Sequence, residues 1–585
     1  MTRPDATSPS RPPRPRSVRR WARLLATALL VSGVVATQSA PAQAAVPRGT
    51  TSLRLIALND FHGNLDPPAG SSGRVTLADG TTVDAGGAAY LAAHVAQLRA
   101  QVPRSLVVSA GDNIGASPLD SALFHDEPTI AVLDAIGLSA SAVGNHEFDE
   151  GYAELLRIQT GGCHPVDGCQ FESRYRGARF PYLGANVTTT KGLPALLPFT
   201  VKVVDGIPVG IIGVTLKDLP SVVTADAVKG LRFGDEVRAI DKTANLLDRF
   251  GVKAQVVLMH QGDTSGAGGP DACNLVGGGG PATAIARAAT PKVDAFFTGH
   301  SHQAYSCSVD DPAGHPRPVI QGLSFGRLLS VVDVRLDRRT RDVVRSATVA
   351  QNEVVTRDVT PDPTVQAIVA RADALAGPIA NRRVGSITAD LVRAPAPSGE
   401  SPLGDVIADA QLAATTANGA QVAMTNPGGI RADLTYASSP AGEGDGVVTY
   451  GEAFTVQPFS NIMQTLTLTG AQLDAVLEQQ WRVTNGAQQF LPLQVSAGLH
   501  YSWSTSAPVG AKVSDLTLGG VPVDPATSYR VSVNNFLAGG GDGFNGFTQG
   551  TDVTGGPIDL DAFTAYLTAH PDLSPPPADR VTVTP

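Results

Sequence analysis

Leu53-Arg54-Leu55-Ile56-Ala57-Leu58-Asn59-Asp60-Phe61-His62-Gly63 reads as a short apolar strand running into a polar loop. Asp60 and His62 stand two apart, so in an extended segment both side chains face the same way. The same order, an apolar run and then metal-ligand residue types, recurs down the chain. Residues 105–109 lead into Ala110-Gly111-Asp112-Asn113, and 140–143 into Gly144-Asn145-His146-Glu147-Phe148-Asp149. Residues 254–259 lead into His260, and 295–298 into Gly299-His300-Ser301-His302. Helical spacing at 87–98 and 127–136 separates the runs, and 209–214 adds another strand. Short buried strands alternating with helices indicate an α/β domain. Each cluster lies just past the C-terminal end of a strand, where α/β sheets place their sites. A lone Asp or His there is ordinarily a capped turn or a satisfied core histidine. Five clusters in register point instead to a shared metal site.

Further on, Thr360-Pro361-Asp362-Pro363 opens a run with helical spacing at 365–375, and Gly377-Pro378 follows it. Asp or Thr before and Gly-Pro after are helix start and stop signals, so this is read as a linker helix. A second α/β pattern runs from Val384 to the end. With 585 residues the chain is too long for one core. The expected organisation is a catalytic domain at 45–355, a linker segment at 356–383 and a second domain at 384–585.

Residues 1–44 are expected to be removed. Arg14, Arg16, Arg19, Arg20 and Arg23 precede an apolar stretch at 24–35, and Ala42-Gln43-Ala44 is a small-x-small cleavage pattern. That order reads as a signal peptide, and its apolar run is shorter than the roughly 20 residues of a spanning helix. Without this segment, which carries seven Arg and one Asp, 37 Lys+Arg face 52 Asp+Glu. So acidic a chain has no basic footprint for a nucleic acid polymer, and must hold an anionic small-molecule substrate with local positive groups. The chain ends in Val581-Thr582-Val583-Thr584-Pro585, without an apolar tail. The expectation is a secreted protein with no membrane anchor after processing. Export favours pairing of Cys163, Cys169, Cys273 and Cys307, and no Cys-x-x-Cys spacing suggests a thiolate zinc site. Of three possible connectivities we expect Cys163–Cys169, flanking a small loop, and Cys273–Cys307, closing a Gly-rich segment at 262–280.

The order Asp-x-His, Gly-Asp, Gly-Asn-His-Glu, lone His, Gly-His-x-His resembles the calcineurin-type metallophosphoesterases. Asn59-Asp60-Phe61-His62-Gly63 and Gly144-Asn145-His146-Glu147-Phe148-Asp149 are similar in particular to the 5′-nucleotidase family. The resemblance implies an αββα sandwich, a linker helix and an α/β 5′-nucleotidase C-terminal domain. It implies two divalent ions, one on Asp60, His62, Asp112 and His302, the other on Asp112, Asn145, His260 and His300. Mixed oxygen and imidazole donors suit Zn, Mn or Co better than Ca. His146 and Asp149 look like the family's catalytic pair, and metal-activated water like its nucleophile. His94, His125, His164, His315 and His500 sit in no motif and are given no role.

In the second half, Asn426-Pro427-Gly428-Gly429-Ile430-Arg431 is similar to the family's phosphate- and base-binding segment. The stretch from Asn534 to Phe544, with three consecutive glycines before Asp542, resembles its nucleoside-binding segment. By resemblance, Phe459 and Phe536 sandwich a base, Asp542 accepts from ribose hydroxyls, and Arg431 and Asn426 bind phosphate or base. Pro402 stands where a family arginine is expected, which thins the positive clamp. The activity implied is hydrolysis of nucleoside 5′-phosphates, with di- or triphosphates or nucleotide sugars as further substrates. The alternatives are a 2′,3′-cyclic-nucleotide phosphodiesterase on the same site and a non-catalytic extracellular nucleotide-binding protein. Oligomeric state is not addressed by any of these residues.

Overall fold

The computed structural model describes residues 49–585 apart from 69, 224–226, 440–441, 460 and 485–486. The expected signal peptide, residues 1–44, lies outside the described residues.

Two six-stranded sheets face each other in the N-terminal domain. The first has the order Val349–Val354, Leu328–Asp337, Thr50–Leu58, Ser105–Ser109, Leu138–Ala142, Tyr182–Leu183. Its last four strands are parallel. The second has the order Ala304–Asp310, Pro316–Gly322, Ala295–Thr298, Ala254–His260, Ile207–Thr215, Phe199–Val204. Its four central strands are parallel and its two edges antiparallel. Alternation along each strand divides the apolar residues between layers. Leu53, Leu55 and Ala57 face inward and share a core with Val256, Leu258 and Phe297 of the opposite sheet. Ile56 and Leu58 face outward, beneath Leu91, Val95 and Leu133 of the helices Ala88–Gln101 and Glu127–Ala135. Val257 and Met259 pack outward on the other side, against helices Glu236–Arg249 and Pro281–Ala288. Each such side chain contributes about 1.5–3 kcal/mol on burial, so three apolar cores fix the four layers. This is the αββα sandwich expected.

Helix Pro363–Ala380 starts as read, with the Asp362 carboxylate accepting from the N–H of Thr364 and Val365. It does not stop at Gly377-Pro378 but continues through both to Ala380. A proline near the helix end removes a single intrahelical donor. Val365, Val369, Ala372 and Ala376 are buried among the outer-face residues of the first sheet, and that packing outweighs the local stop signal.

The second domain is built on a five-stranded sheet ordered Gln494–Val495, Val422–Thr425, Ser528–Asn534, Ile462–Thr469, Thr551–Ile558. Leu473, Val476 and Leu477 of helix Gly470–Glu478 pack with Val422, Met424, Leu466 and Val531. Helices Pro402–Thr415 and Asp559–Ala569 build a separate core through Leu403, Ile407, Phe563 and Leu567. Pro402 occupies the first turn of its helix, with Ser401 Oγ accepting from Gly404 N at 3.0 Å. A proline without an N–H suits that position, which gives Pro402 a local structural reason.

Both expected disulfides are present, Cys163–Cys169 with Cα atoms 4.6 Å apart and Cys273–Cys307 at 5.0 Å. Among the described residues no helix is long and apolar enough to cross a membrane.

Candidate functional site

The parallel strands of both sheets end at one edge of the sandwich, and there the seven candidate ligands converge. Asp60, His62 and His302 form one group and Asp112, His260 and His300 another, each with its donor atoms within 4.8 Å of one another. Asn145 joins the second group, its Oδ1 3.2 Å from His260 Nε2 and 2.9 Å from His300 Nδ1. Asp60, His62 and His260 are fully buried beneath the others.

The ring protons are placed by the backbone. His62 Nδ1 is 2.8 Å from the Gly115 carbonyl and His260 Nδ1 is 2.9 Å from that of Ala110. With those nitrogens donating, Nε2 is the atom that each ring turns to the site. His62 Nε2 then meets His302 Nε2 at 3.2 Å, and His260 Nε2 meets Asp112 Oδ2 at 3.0 Å. Burial holds His62 and His302 well below the usual imidazole range, so neither is a proton carrier at neutral pH. His300 is held down to about 3 by burial and by neighbouring His260. His260 is the exception: burial opposes its protonation, but Asp112 raises it to about 9. Lone pairs this close require a proton or a cation between them, and the mix of imidazole, carboxylate and amide oxygen fits a borderline divalent ion.

The loops reach this geometry by unusual backbone. Asp60 (φ 49°), His62 (48°), Asp112 (51°), His300 (72°) and His302 (54°) all lie in the left-handed region. Gly144 is required by close approach, since a Cβ there would collide with Asp112 Oδ1 and stand 2.7 Å from His260 Cε1. Glu147 is a positioning residue that the sequence reading quoted but did not assign. Its buried carboxylate accepts from Asp112 N (2.9 Å), Asn113 N (2.8 Å) and Gly144 N (2.5 Å), tying two ligand loops together. Asp112 Oδ1 in turn accepts from His146 N at 2.8 Å.

His146 Nδ1 lies 2.9 Å from Asp149 Oδ2, and the His146 ring packs edge-on against His62 at 4.9 Å. Burial works against the imidazolium, but Asp149 and Asp112 raise His146 above its ordinary value.

A cavity of about 1320 Å³ opens over this edge, lined from the first domain by Asp112, Asn145, His146, Asp149, His300 and His302. From the second domain it is lined by all five expected substrate residues: Asn426, Arg431, Phe459, Phe536 and Asp542. Phe459 stacks on His146 with centroids 5.7 Å apart, and Arg431 lies 5.8 Å from the Phe459 centroid. Arg431 Nε and Nη2 are buried without a hydrogen-bond partner. Burial and the charge of Arg393 lower Arg431 to about 10, which leaves it a cation. Arg393, which donates from Nη1 to the Ile430 carbonyl at 3.4 Å, is a neighbouring cation that the sequence reading did not single out. Its signal, a lone arginine in an irregular segment, is too weak to find. Asn426 Nδ2 donates to Asp542 Oδ2 at 2.7 Å and Asn534 Nδ2 to Asn426 Oδ1 at 3.3 Å. Of the glycines before Asp542, Gly541 is needed for packing, since a Cβ there would meet the Phe536 ring at 2.6 Å.

Known proteins resemble the chain in both of its halves. Residues 53–304 match the calcineurin-like phosphoesterase family, and 378–549 match the 5′-nucleotidase C-terminal domain. The chain is 34% identical to the cell wall protein Lmo0130 of Listeria monocytogenes, over 92% of its own length and 70% of that protein's. It is 32% identical to the endonuclease YhcR of Bacillus subtilis, over 84% of this chain but only 37% of the longer relative. Among solved structures, a 5′-nucleotidase precursor from Thermus thermophilus superposes with a TM-score of 0.73 at 27% identity, covering 91% of this chain and 99% of that one.

Proposed function

The chain belongs to the calcineurin-like phosphoesterases that carry a 5′-nucleotidase C-terminal domain, metal-dependent phosphoester hydrolases, and from that premise we propose that it is a 5′-nucleotidase releasing phosphate from nucleoside 5′-phosphates. The observation that carries this reading is Arg431. Its unpartnered guanidinium comes from the second domain, lines the cavity that His146 and Asp112 line, and has no protein acceptor to satisfy its Nε and Nη2. A phosphate oxygen pair is the acceptor such a fork fits.

Asp60, His62, Asp112 and His302 would hold one divalent ion, and Asp112, Asn145, His260 and His300 the second. When bound, such a pair supplies Lewis acidity, polarising a phosphoryl oxygen and lowering the pKa of water. Asp149 orients His146 through Nδ1, leaving Nε2 to donate to an oxygen that gains charge as the ester bond breaks. Phe459 and Phe536 provide stacking faces for the base, and Asp542, held by Asn426, accepts from ribose hydroxyls. The donor set favours Zn, Mn or Co.

The catalytic domain is placed at 45–355, the connecting segment at 356–383 and the nucleotide-binding domain at 384–585, behind a cleaved signal at 1–44. Two disulfides and likeness to a cell wall protein support work outside the cytoplasm.

The test is chromatographic product analysis of the processed protein, reconstituted with Zn, Mn or Co, on AMP, 2′,3′-cyclic AMP, UDP-glucose and single-stranded DNA, with adenosine and inorganic phosphate the products read for AMP. AMP is expected to be hydrolysed, and only with metal. Cleavage of the cyclic ester or of DNA with AMP untouched would overturn the proposal, and the endonuclease relative makes DNA a necessary control.

A further inference from the structure

Ser301, between the candidate ligands His300 and His302, belongs to a ring of polar groups of which the other members are buried. Gln321, in strand Pro316–Gly322, and Tyr305, in strand Ala304–Asp310, are fully buried, and Asp263 is 1% exposed. Asp263 N donates to the Tyr305 hydroxyl at 3.3 Å, and that hydroxyl donates to Gln321 Oε1 at 3.0 Å. Gln321 Nε2 donates to Ser301 Oγ at 2.9 Å, and Ser301 Oγ donates to the Asp263 carbonyl at 2.8 Å. Thr298 Oγ1 flanks the ring, 2.8 Å from the Tyr305 hydroxyl and donating to the Ile320 carbonyl at 3.0 Å. The ring therefore begins and ends on the backbone of Asp263, just after His260 in the chain. Asp263 is itself fixed, its carboxylate accepting from Ala282 N (2.8 Å) and Thr283 N (3.1 Å) at the start of helix Pro281–Ala288.

We propose that Gln321 is a positioning residue for the metal centre, acting through Ser301 to hold His300 and His302 in register with His260. His300 (φ 72°) and His302 (φ 54°) both keep left-handed backbone, so the turn that carries them needs an outside restraint. Gln321 supplies it: its amide gives Ser301 Oγ a proton and leaves the Ser301 proton for Asp263. An amide suits the place because it donates at one end and accepts at the other. The packing leaves no slack, since a Cβ on Gly262 would collide with the Gly299 carbonyl and Ser301 Oγ and stand 2.6 Å from Gln321 Oε1. The same strand end reaches Asp60 as well. Gly322 N donates to Asn59 Oδ1 at 3.0 Å, and Asn59 Nδ2 donates to Asp60 Oδ2 at 2.6 Å.

Gln321 and Tyr305 are not among the residues that line the cleft, so neither reaches a substrate there. Their effect must pass through the histidine loop. Gln321 can act in this way only if His260, His300 and His302 are ligands, so His300→Ala is measured alongside the variants of the ring.

The experiment is a zinc competition titration on the full processed chain, with ions per chain counted by mass spectrometry and urea unfolding of the metal-free forms run in parallel. The wild type is expected to hold two ions and His300→Ala fewer at the same free zinc. Gln321→Leu and Ser301→Ala should each weaken zinc binding by about 10–100-fold. The double variant should lose no more than about threefold beyond the larger single loss, because both changes cut one link. Zinc affinity within about threefold of wild type in Gln321→Leu, with only the metal-free urea midpoint lowered, would make the amide a packing residue and overturn the proposal. Losses that multiply in the double variant would overturn it too. Two ions held by His300→Ala at wild-type affinity would refute the ligand reading and the proposal together. Should Gln321→Leu not fold, Ser301→Ala decides: weakened zinc binding supports the link, and wild-type binding refutes it.

Discussion

Glu147 offers the sharpest test of how the candidate metal centre is held. Its Oε2 accepts from Asp112 N at 2.9 Å and Gly144 N at 2.5 Å, and its Oε1 from Asn113 N at 2.8 Å and Asn113 Nδ2 at 3.3 Å. Glu147→Gln keeps the shape but replaces one oxygen by an NH₂. Whichever way the amide turns, that NH₂ faces at least one backbone N–H, and two in the worse orientation. A buried orphan donor costs about 1–3 kcal/mol, and the bonds that remain lose their charge, so the loss is about 2–4 kcal/mol. Native domains hold about 5–15 kcal/mol, so the variant should fold but unfold at lower denaturant. Burial and the Asp112 charge raise Glu147 to about 7, so the comparison belongs at pH 8, where the wild-type residue is ionised. Because the orphaned groups carry the Asp112 loop, metal affinity and phosphate release should fall together by about 10–100-fold. Urea unfolding and a zinc competition titration measure the two effects. An unchanged urea midpoint with zinc affinity within about threefold of wild type would refute the view that this carboxylate sets the ligand loops.

Three further outcomes are expected. His146→Ala should lower kcat by about 10²–10⁴-fold with metal content unchanged, as the proposed role of proton donor rather than ligand requires; loss of metal in parallel would reassign it. Phe459→Ala should raise KM for AMP in line with about 1–3 kcal/mol of lost stacking, yet leave a non-nucleotide ester such as p-nitrophenyl phosphate nearly unaffected; equal losses on both would argue against base recognition. Asp405 is buried with neither carboxylate oxygen hydrogen-bonded, and burial, only partly offset by Arg580, raises it to about 7. The folded chain thus keeps a proton that the unfolded chain releases above its ordinary value. Its contribution to stability is fully present at low pH and falls by up to about 1.4 kcal/mol per pH unit as pH rises from roughly 4 to 7. Asp405→Asn should flatten that decline in urea midpoints measured across the same range.

Much of this architecture could be read from residue order because the catalytic half obeys local rules. Ser105–Ser109 and Ala295–Thr298 are apolar runs with nothing else to become, and their ligand loops follow at once. The histidines and aspartates were visible for the same reason: strand ends in register carry them to one edge. What escaped depends on partners distant in sequence. Glu147 ties two loops together because Asp112 and Asn113, 35 and 34 residues away, turn their N–H groups to it. Arg393 acts on Arg431 only through a fold that brings their two charges together. The passage of a helix through Gly377-Pro378 reflects burial of Ala376, which no local signal announces.

The left-handed backbone at Asp60, His62, Asp112, His300 and His302 has a consequence beyond the cleft. Non-glycine residues hold such angles at about 1–3 kcal/mol each, so the loops keep them only while the sheets behind stay rigid. An arriving cation meets a mould already set and spends little of its attraction on shaping it. Weakening the sandwich far from any ligand, at Leu55 or Leu258 for instance, should therefore surface first as ions leaking from an otherwise folded enzyme.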